Sequence, residues 1–312
     1  MKLCAVSVDL DEVPCYHAIH GLPMPADDSA HAVYTRAVPR LGELFSAEGI
    51  PATFFVIGRD LGDGIARAAV QGLARAGHEL GNHSQNHRYD LTRLGPDAMR
   101  AEVRDASDAL ASVVGQRPVG FRAPGYTITD ALFDVLAAEG FAYDSSVFPC
   151  PAYYGAKTSA IGLIAARGRA SRSIVDSPAV LLAPADPYLP SRPYWRRAPL
   201  GASIVELPIG VTRGARLPFI GTTLSLLGPA LSRLLARQMV GRPLVNLELH
   251  GLDLLDVADG LRTLGAHQGD LRLPVSRKAA ALRAVIEVLR DAGYSFVTLR
   301  DAAAAFAHQT RD

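Results

Sequence analysis

The sequence is poor in several features that would have placed it in a large class at once. It has three cysteines in 312 residues, Cys4, Cys15 and Cys150, an odd and widely spaced set. That pattern excludes a disulfide framework and a zinc-knuckle spacing, and it fits a reducing compartment. Charge of one sign is not in excess: 32 basic residues face 31 acidic ones. Nothing therefore draws the chain as a whole toward nucleic acid, and none is expected as a partner. No run of about 20 uninterrupted apolar residues occurs, which argues against a spanning helix. Met1-Lys2-Leu3-Cys4-Ala5-Val6-Ser7-Val8-Asp9 runs straight into a strand-like segment without the layout of a signal peptide. The expectation is a cytoplasmic protein, at the inner face of the membrane if it meets one.

What the sequence does have is the composition of a folded domain, 49% hydrophobic and 20% charged. A chain of this length can bury a large core without staples. Short apolar runs alternate with helical patterns. Strands are expected at Leu3–Val8, Ala52–Ile57, His78–His83, Pro118–Phe121, Phe141–Tyr143, Ile204–Pro208, Leu244–Leu249 and Ser295–Leu299. Helices are expected between them, over 33–47, 61–75, 96–114, 129–138, 277–291 and 301–307. A turn-rich loop with Pro14, Gly21, Pro23 and Pro25 follows the first strand. Residues 150–200 read as a loop-rich insertion over one face. Residues 213–240 read as an apolar segment flanked by Arg213, Arg216, Arg233 and Arg237, a helix for the barrel wall or a peripheral membrane contact. Alternation of this kind predicts a mainly parallel sheet in a single α/β barrel over 1–312.

In such a barrel, chemistry belongs at the C-terminal ends of the strands. Asp9 and Asp11 end the first, His83 and His87 follow the third, Arg122 follows the fourth, and His250 ends the strand over 244–249. His83 and His87 are four apart, a spacing that on a helical turn puts both on one face. With Asp11 as an oxygen donor they make a three-ligand set with open positions, the pattern of a catalytic metal. Zinc is the first expectation, with ferrous iron, cobalt and nickel as alternatives. Water activation needs a base and a leaving group needs an acid. Asp9 is placed to be the base, His250 the acid, and Arg122 can hold Asp9 in a bidentate pair.

These segments, in this order, resemble the polysaccharide deacetylase family, the NodB-like carbohydrate esterases. Ser7-Val8-Asp9-Leu10-Asp11 resembles its paired-aspartate motif, and Thr53–Gly58 a typical strand. Gly77–His87 is similar to its metal-binding motif, Phe121-Arg122-Ala123-Pro124-Gly125 to its arginine motif, Gly140–Ser146 to a common family segment, and Leu249-His250-Gly251 to its last motif. The resemblance implies a distorted (β/α) barrel of about seven strands. It implies metal-dependent hydrolysis of an N-acetyl group, with Asp9 as base, Asp11, His83 and His87 as ligands and His250 as acid.

An oxyanion donor is implied near Gly125 or Tyr126, where the family motif usually carries an aromatic residue. The family's Asp…Trp motif is absent, Glu206-Leu207-Pro208 standing in its place. Glu206, Glu248 and Asp253 are therefore the candidates for orienting His250. His17, in the loop after the aspartates, is a candidate for lining a sugar site or an ordinary loop histidine. The implied substrate is an amino-sugar glycan or glycolipid precursor, soluble or lipid-linked. The competing readings are hydrolysis of another C–N bond, in a cyclic imide, a ureide or a lipid-linked formamido sugar, and a non-catalytic carbohydrate-binding protein.

Overall fold

The computed structural model describes residues 1–175, 177–198 and 204–309. Strand β1 (Leu3–Asp9) is buried along its whole length, as expected of a run packed on both faces of a parallel sheet. It pairs in parallel with β2 (Ala52–Val56) and β7 (Leu244–His250), and through Leu3–Ala5 with β8 (Ser295–Val297). From β2 the sheet runs on through β3 (Glu79–Asn82), β4 (Gly120–Phe121), β5 (Tyr143–Asp144) and β6 (Val205–Glu206), every pair parallel.

No ladder joins β6 to β7 among the described residues. Instead the Gly210 N–H donates to the Asn246 carbonyl (2.8 Å), and Ile220 bridges Glu248. The architecture is thus the expected distorted barrel, an open curl closed on one side by irregular chain.

Helices cover the outside. In order they are α1 (Val13–His20), α2 (Val38–Glu48), α3 (Gly64–Arg75), α4 (Pro96–Val114), α5 (Asp130–Ala138), α6 (Pro151–Ala166), α7 (Gly221–Met239), α8 (Arg262–Gly265), α9 (Val275–Asp291) and α10 (Leu299–Gln309). Leu41 and Phe45 of α2, Val70 and Leu73 of α3 and Phe54 of β2 share one apolar cluster. Each such side chain contributes about 1.5–3 kcal/mol on burial.

Two elements depart from the sequence reading. Helix α1 occupies part of the expected loop. The Glu12 carboxylate accepts from the Val13 N–H (3.0 Å) and so caps its start, Pro14 fits its first turn, and Gly21 ends it at φ +61°. Residues 150–200, expected to be loop-rich, contain the 16-residue helix α6, none of whose residues is buried.

Inside the curl the packing is tight. A Cβ on Gly120 would lie 1.9 Å from the Tyr143 ring, so only glycine lets that ring stand beside β4. Strands β1, β3, β4 and β7 end at Asp9, Asn82, Phe121 and His250. Their C-terminal ends form the rim on which the predicted polar residues stand.

Candidate active site

Parallel pairing sets the first layer. Ser7 and Asp9 alternate on one face of β1, as do Asn246, Glu248 and His250 on β7. The register places Ser7 beside Glu248 and Asp9 beside His250.

Asp11, two residues past Asp9, stands against the histidines. Its Oδ1 is 3.1 Å from Nε2 of His83 and 3.1 Å from Nε2 of His87. The three ligand atoms lie within 4.8 Å of one another, and all three residues are buried. The expected helical turn is not what brings the histidines together. Residues 83–90 are loop, with Ser84 at φ +61° and His87 at φ +52°. Those two left-handed residues reverse the chain, and the ring centres come to 4.9 Å. Asn82 and Ser84 fix the bend: the Asn82 side chain accepts the Ser84 N–H (2.8 Å), and the Ser84 hydroxyl accepts the His87 N–H (3.1 Å).

His83 Nδ1 is 2.7 Å from the Arg122 carbonyl. A carbonyl only accepts, so Nδ1 carries the proton and Nε2 keeps its lone pair for the cluster. Burial would raise the Asp11 carboxyl, but the His87 and His83 imidazoles beside it hold it well below the usual carboxylate range. Burial also works against the charged form of His83, where Asp9 and Asp11 prevail and the pKa is raised. At His87 burial prevails and the pKa is lowered. Asp11 Oδ1 and His87 Nε2 are both buried without a hydrogen-bond partner. Two such unpaired atoms converging with His83 Nε2, a set of two nitrogens and a carboxylate oxygen, fit a divalent cation such as zinc or ferrous iron.

Arg122 is fully buried and lies 4.3 Å over the Phe55 ring. The expected bidentate pair with Asp9 is not made. Only Nη1 donates to Asp9 Oδ1 (2.7 Å), because Nη2 is taken by the hydroxyls of Ser7 (2.9 Å) and Ser145 (2.8 Å) and Nε by the Ser145 carbonyl (2.9 Å). Asp9 Oδ2 is left facing His83 Nε2 at 3.8 Å. Asn246 completes this layer, donating to the Ser145 hydroxyl (2.9 Å) and the Leu207 carbonyl (3.0 Å).

His250 Nδ1 meets Glu248 Oε1 at 2.9 Å. Burial opposes a charged imidazole here, but the Glu248 carboxylate overcomes it, and His250 is raised well above the ordinary histidine range. The other two orienting candidates lie elsewhere. Glu206 stands beside Asp144 in register and accepts the Val147 N–H (3.1 Å). Asp253 accepts the backbone N–H of His250 (2.8 Å), and burial pushes its carboxyl up to about 7.

His17 lies on α1, its Nδ1 hydrogen-bonded to the Pro23 carbonyl, so it ties down its own loop. The Tyr126 N–H already goes to the Ala123 carbonyl (3.0 Å). Gly125 adopts φ +64°, and a Cβ there would lie 2.9 Å from the Tyr89 ring. Tyr89 therefore fills the space that a side chain at 125 would claim, and its ring stacks edge-on against His87 at 4.9 Å.

Ser7, Ser145, Asn246 and Tyr89 were given no role from sequence. The alternation Ser7/Asp9 and Asn246/Glu248/His250 is the signal that would have found two of them. Tyr16 stands 6.2 Å from the His250 ring, and the hydroxyls of Tyr16 and Tyr89 are buried without a partner. Beyond His87 and Tyr89 opens a cavity of about 1140 Å³, also lined by Glu12, Tyr34, Arg59 and Asp60.

The chain is similar to known proteins. A family model described as polysaccharide deacetylase matches residues 26–143. A peptidoglycan deacetylase of Helicobacter pylori is 28% identical over 152 residues, covering 46% of this chain and 49% of that protein. A peptidoglycan-N-acetylglucosamine deacetylase of Bacillus cereus is 31% identical over 115 residues, covering 37% and 51%. The chain thus spans about half the length of the curated relatives it matches. The crystal structure of a candidate polysaccharide deacetylase from Mycobacterium smegmatis superposes with a TM-score of 0.59 at 22% identity, covering 99% of this chain and 91% of that one. At that identity the likeness concerns the fold.

Proposed function

We propose, from the likeness of residues 26–143 to the polysaccharide deacetylase family, that this chain hydrolyses an N-acetyl group on an amino-sugar-containing glycan. The observation that carries the reading is the convergence of Asp11 Oδ1 and His87 Nε2, both without a hydrogen-bond partner, with His83 Nε2, beside two differently wired proton carriers. Asp11, His83 and His87 would hold a divalent cation, most simply zinc. When bound, it supplies a Lewis acid for the amide carbonyl.

The rest falls to the chain's own groups. Asp9 Oδ1 is pinned by Arg122, so Oδ2 is the atom that takes a proton from the attacking water. The Gly125 N–H is the better placed of the two proposed oxyanion donors, because that of Tyr126 is already donated. His250, kept protonated by Glu248, gives its proton to the departing nitrogen, so water and amide become acetate and amine. Ser7, Ser145 and Asn246 hold Arg122, and through it Asp9.

The substrate we favour is a precursor, soluble or carried on a lipid, met at the cytoplasmic face of a membrane. Three free, buried cysteines are in keeping with a reducing compartment. No described helix is long and apolar enough to cross a membrane. The test is a mass-spectrometric screen of soluble and lipid-linked amino-sugar precursors with purified protein. Loss of one acetyl group with release of acetate is expected. Release of formate, or opening of a cyclic amide without acetate, would transfer the reading to another C–N bond.

A further inference from the structure

Helix α7 has two sides. Leu224, Leu235 and Met239 are buried in the core cluster shared with α9, whereas Leu226, Leu231 and Leu234 are 55%, 51% and 54% exposed. Leu217, in the hairpin that leads into the helix, is 45% exposed. Single exposed leucines are ordinary; here three lie on one helix, broken at Gly228 (φ +73°, ψ 176°) between Leu226 and Leu231, and a fourth lies in the chain that enters it.

The charge around them is one-sided. From Leu207 to Leu247 there is no aspartate or glutamate, and there are five arginines, Arg213, Arg216, Arg233, Arg237 and Arg242. Two of these are neutralised from outside the segment: Arg242 by Asp186 (2.7 Å) and Arg233 by Glu287 of α9. Among the described residues, Arg213 and Arg216 donate to the carbonyls of Val240 and Leu181 and to no carboxylate. In a chain with a formal net charge of +1, this is a local and basic surface.

We infer that this face of α7, with Leu217 and its flanking arginines, seats on an anionic phospholipid bilayer. The leucines enter the boundary between headgroups and acyl chains while the guanidinium groups meet lipid phosphates. The helix lies on the surface and does not span it. A second copy of the chain is the poorer occupant. A two-fold contact through the leucines would bring the arginines of both copies together, with no acid between residues 207 and 247 to separate them.

The helix is rooted at the active site. Gly221, its first residue, packs so closely on Asp253 that a Cβ would lie 2.0 Å from that carboxylate, which accepts the His250 N–H. Leu226 follows about 8 Å further along the helix axis. Docking through α7 would bring the rim of the barrel to the bilayer, where a lipid-carried glycan is presented. That last consequence rests on the proposed deacetylase activity, whereas bilayer binding does not.

The experiment is flotation of the full chain with phosphatidylcholine vesicles, with and without phosphatidylglycerol, at low and high salt. Binding is expected only to the phosphatidylglycerol vesicles and should weaken with salt. The double substitution Leu231→Glu/Leu234→Glu should lower the bound fraction about tenfold or more, because it puts charge into the inserted face. Leu163→Glu, an equally exposed leucine on α6, should bind like the unaltered chain, and circular dichroism of all variants should match. Absence of binding by the unaltered chain would overturn the inference, as would equal binding by the double variant. So would a dimer in sedimentation equilibrium that the double variant converts to monomer. None of these readouts uses turnover, so they stand apart from any failure to release acetate.

Discussion

Two histidine–carboxylate clusters share one rim and differ in make-up: two imidazoles and one carboxylate in the first, one imidazole and the carboxylates of Asp9 and Glu248 in the second. In the first, Asp11 Oδ1 faces two imidazole nitrogens at 3.1 Å each, and two of the three atoms have no hydrogen-bond partner. In the second, His250 Nδ1 has a carboxylate of its own at 2.9 Å, supplied by Glu248 two residues earlier on the same strand. The first cluster offers two imidazole nitrogens and one carboxylate oxygen, which suits a cation. The second has a charge pair that stabilises a proton on imidazole, which suits an acid. Asp9 is bonded to Arg122 on one oxygen and free on the side of the first cluster. The lesson is that residue type alone does not assign a role; the partner of the second ring nitrogen does.

The largest effect expected of any single change is in the first cluster. His83→Ala should lose bound metal, read by atomic emission on the purified protein, and turnover with it. Asp9→Asn comes next and sharpens the comparison. It should keep the metal and lower kcat by about 100- to 10,000-fold, the range for a missing general base. Equal metal loss in both variants would erase the distinction between ligand and base.

Glu248→Gln probes the second cluster through pH. In the proposed mechanism His250 works protonated, and its folded pKa is raised. Activity should therefore be present below that raised value and fall as pH rises through it. Without the Glu248 charge the pKa should drop toward roughly 6.5, so the alkaline limb of kcat/KM should move to lower pH. An unmoved limb would remove Glu248 from the acid. The smallest effect is on stability. Gly125→Ala should lower unfolding free energy by about 1–2 kcal/mol, read by denaturant titration, because φ +64° strains any residue with a Cβ.

Much of this arrangement was legible in the sequence because strand ends mark themselves. An apolar run that stops at an aspartate, histidine or arginine announces both the end of a strand and what it presents. Asp9, Asp11, His83, Arg122 and His250 were readable in that way. The sequence left Glu206, Glu248 and Asp253 open; alternation on β7 sets Glu248 on the face of His250, whereas Glu206 stands beside Asp144.

Other features left no local trace. The approach of His83 to His87 depends on left-handed backbone at Ser84 and His87, which the helical spacing imitates. Glycine at 125 is explained by the Tyr89 ring, 36 residues away in sequence, and no spacing rule connects them. The single-armed Arg122–Asp9 contact follows from Ser7 and Ser145 competing for the same guanidinium. Helix α1 was hidden by its prolines and glycine, although a glutamate followed two residues later by proline is itself a helix start.

The central claim is that the first cluster holds a catalytic cation and the second delivers the proton. It is tested most directly by acetate release from an N-acetylhexosamine glycan, measured on the protein as purified, after chelation, and after zinc is restored. The account predicts release that disappears on chelation and returns with zinc in the unaltered chain, and that does not return in His83→Ala. Release that persists at full rate in the chelated protein, or in His83→Ala, would contradict it.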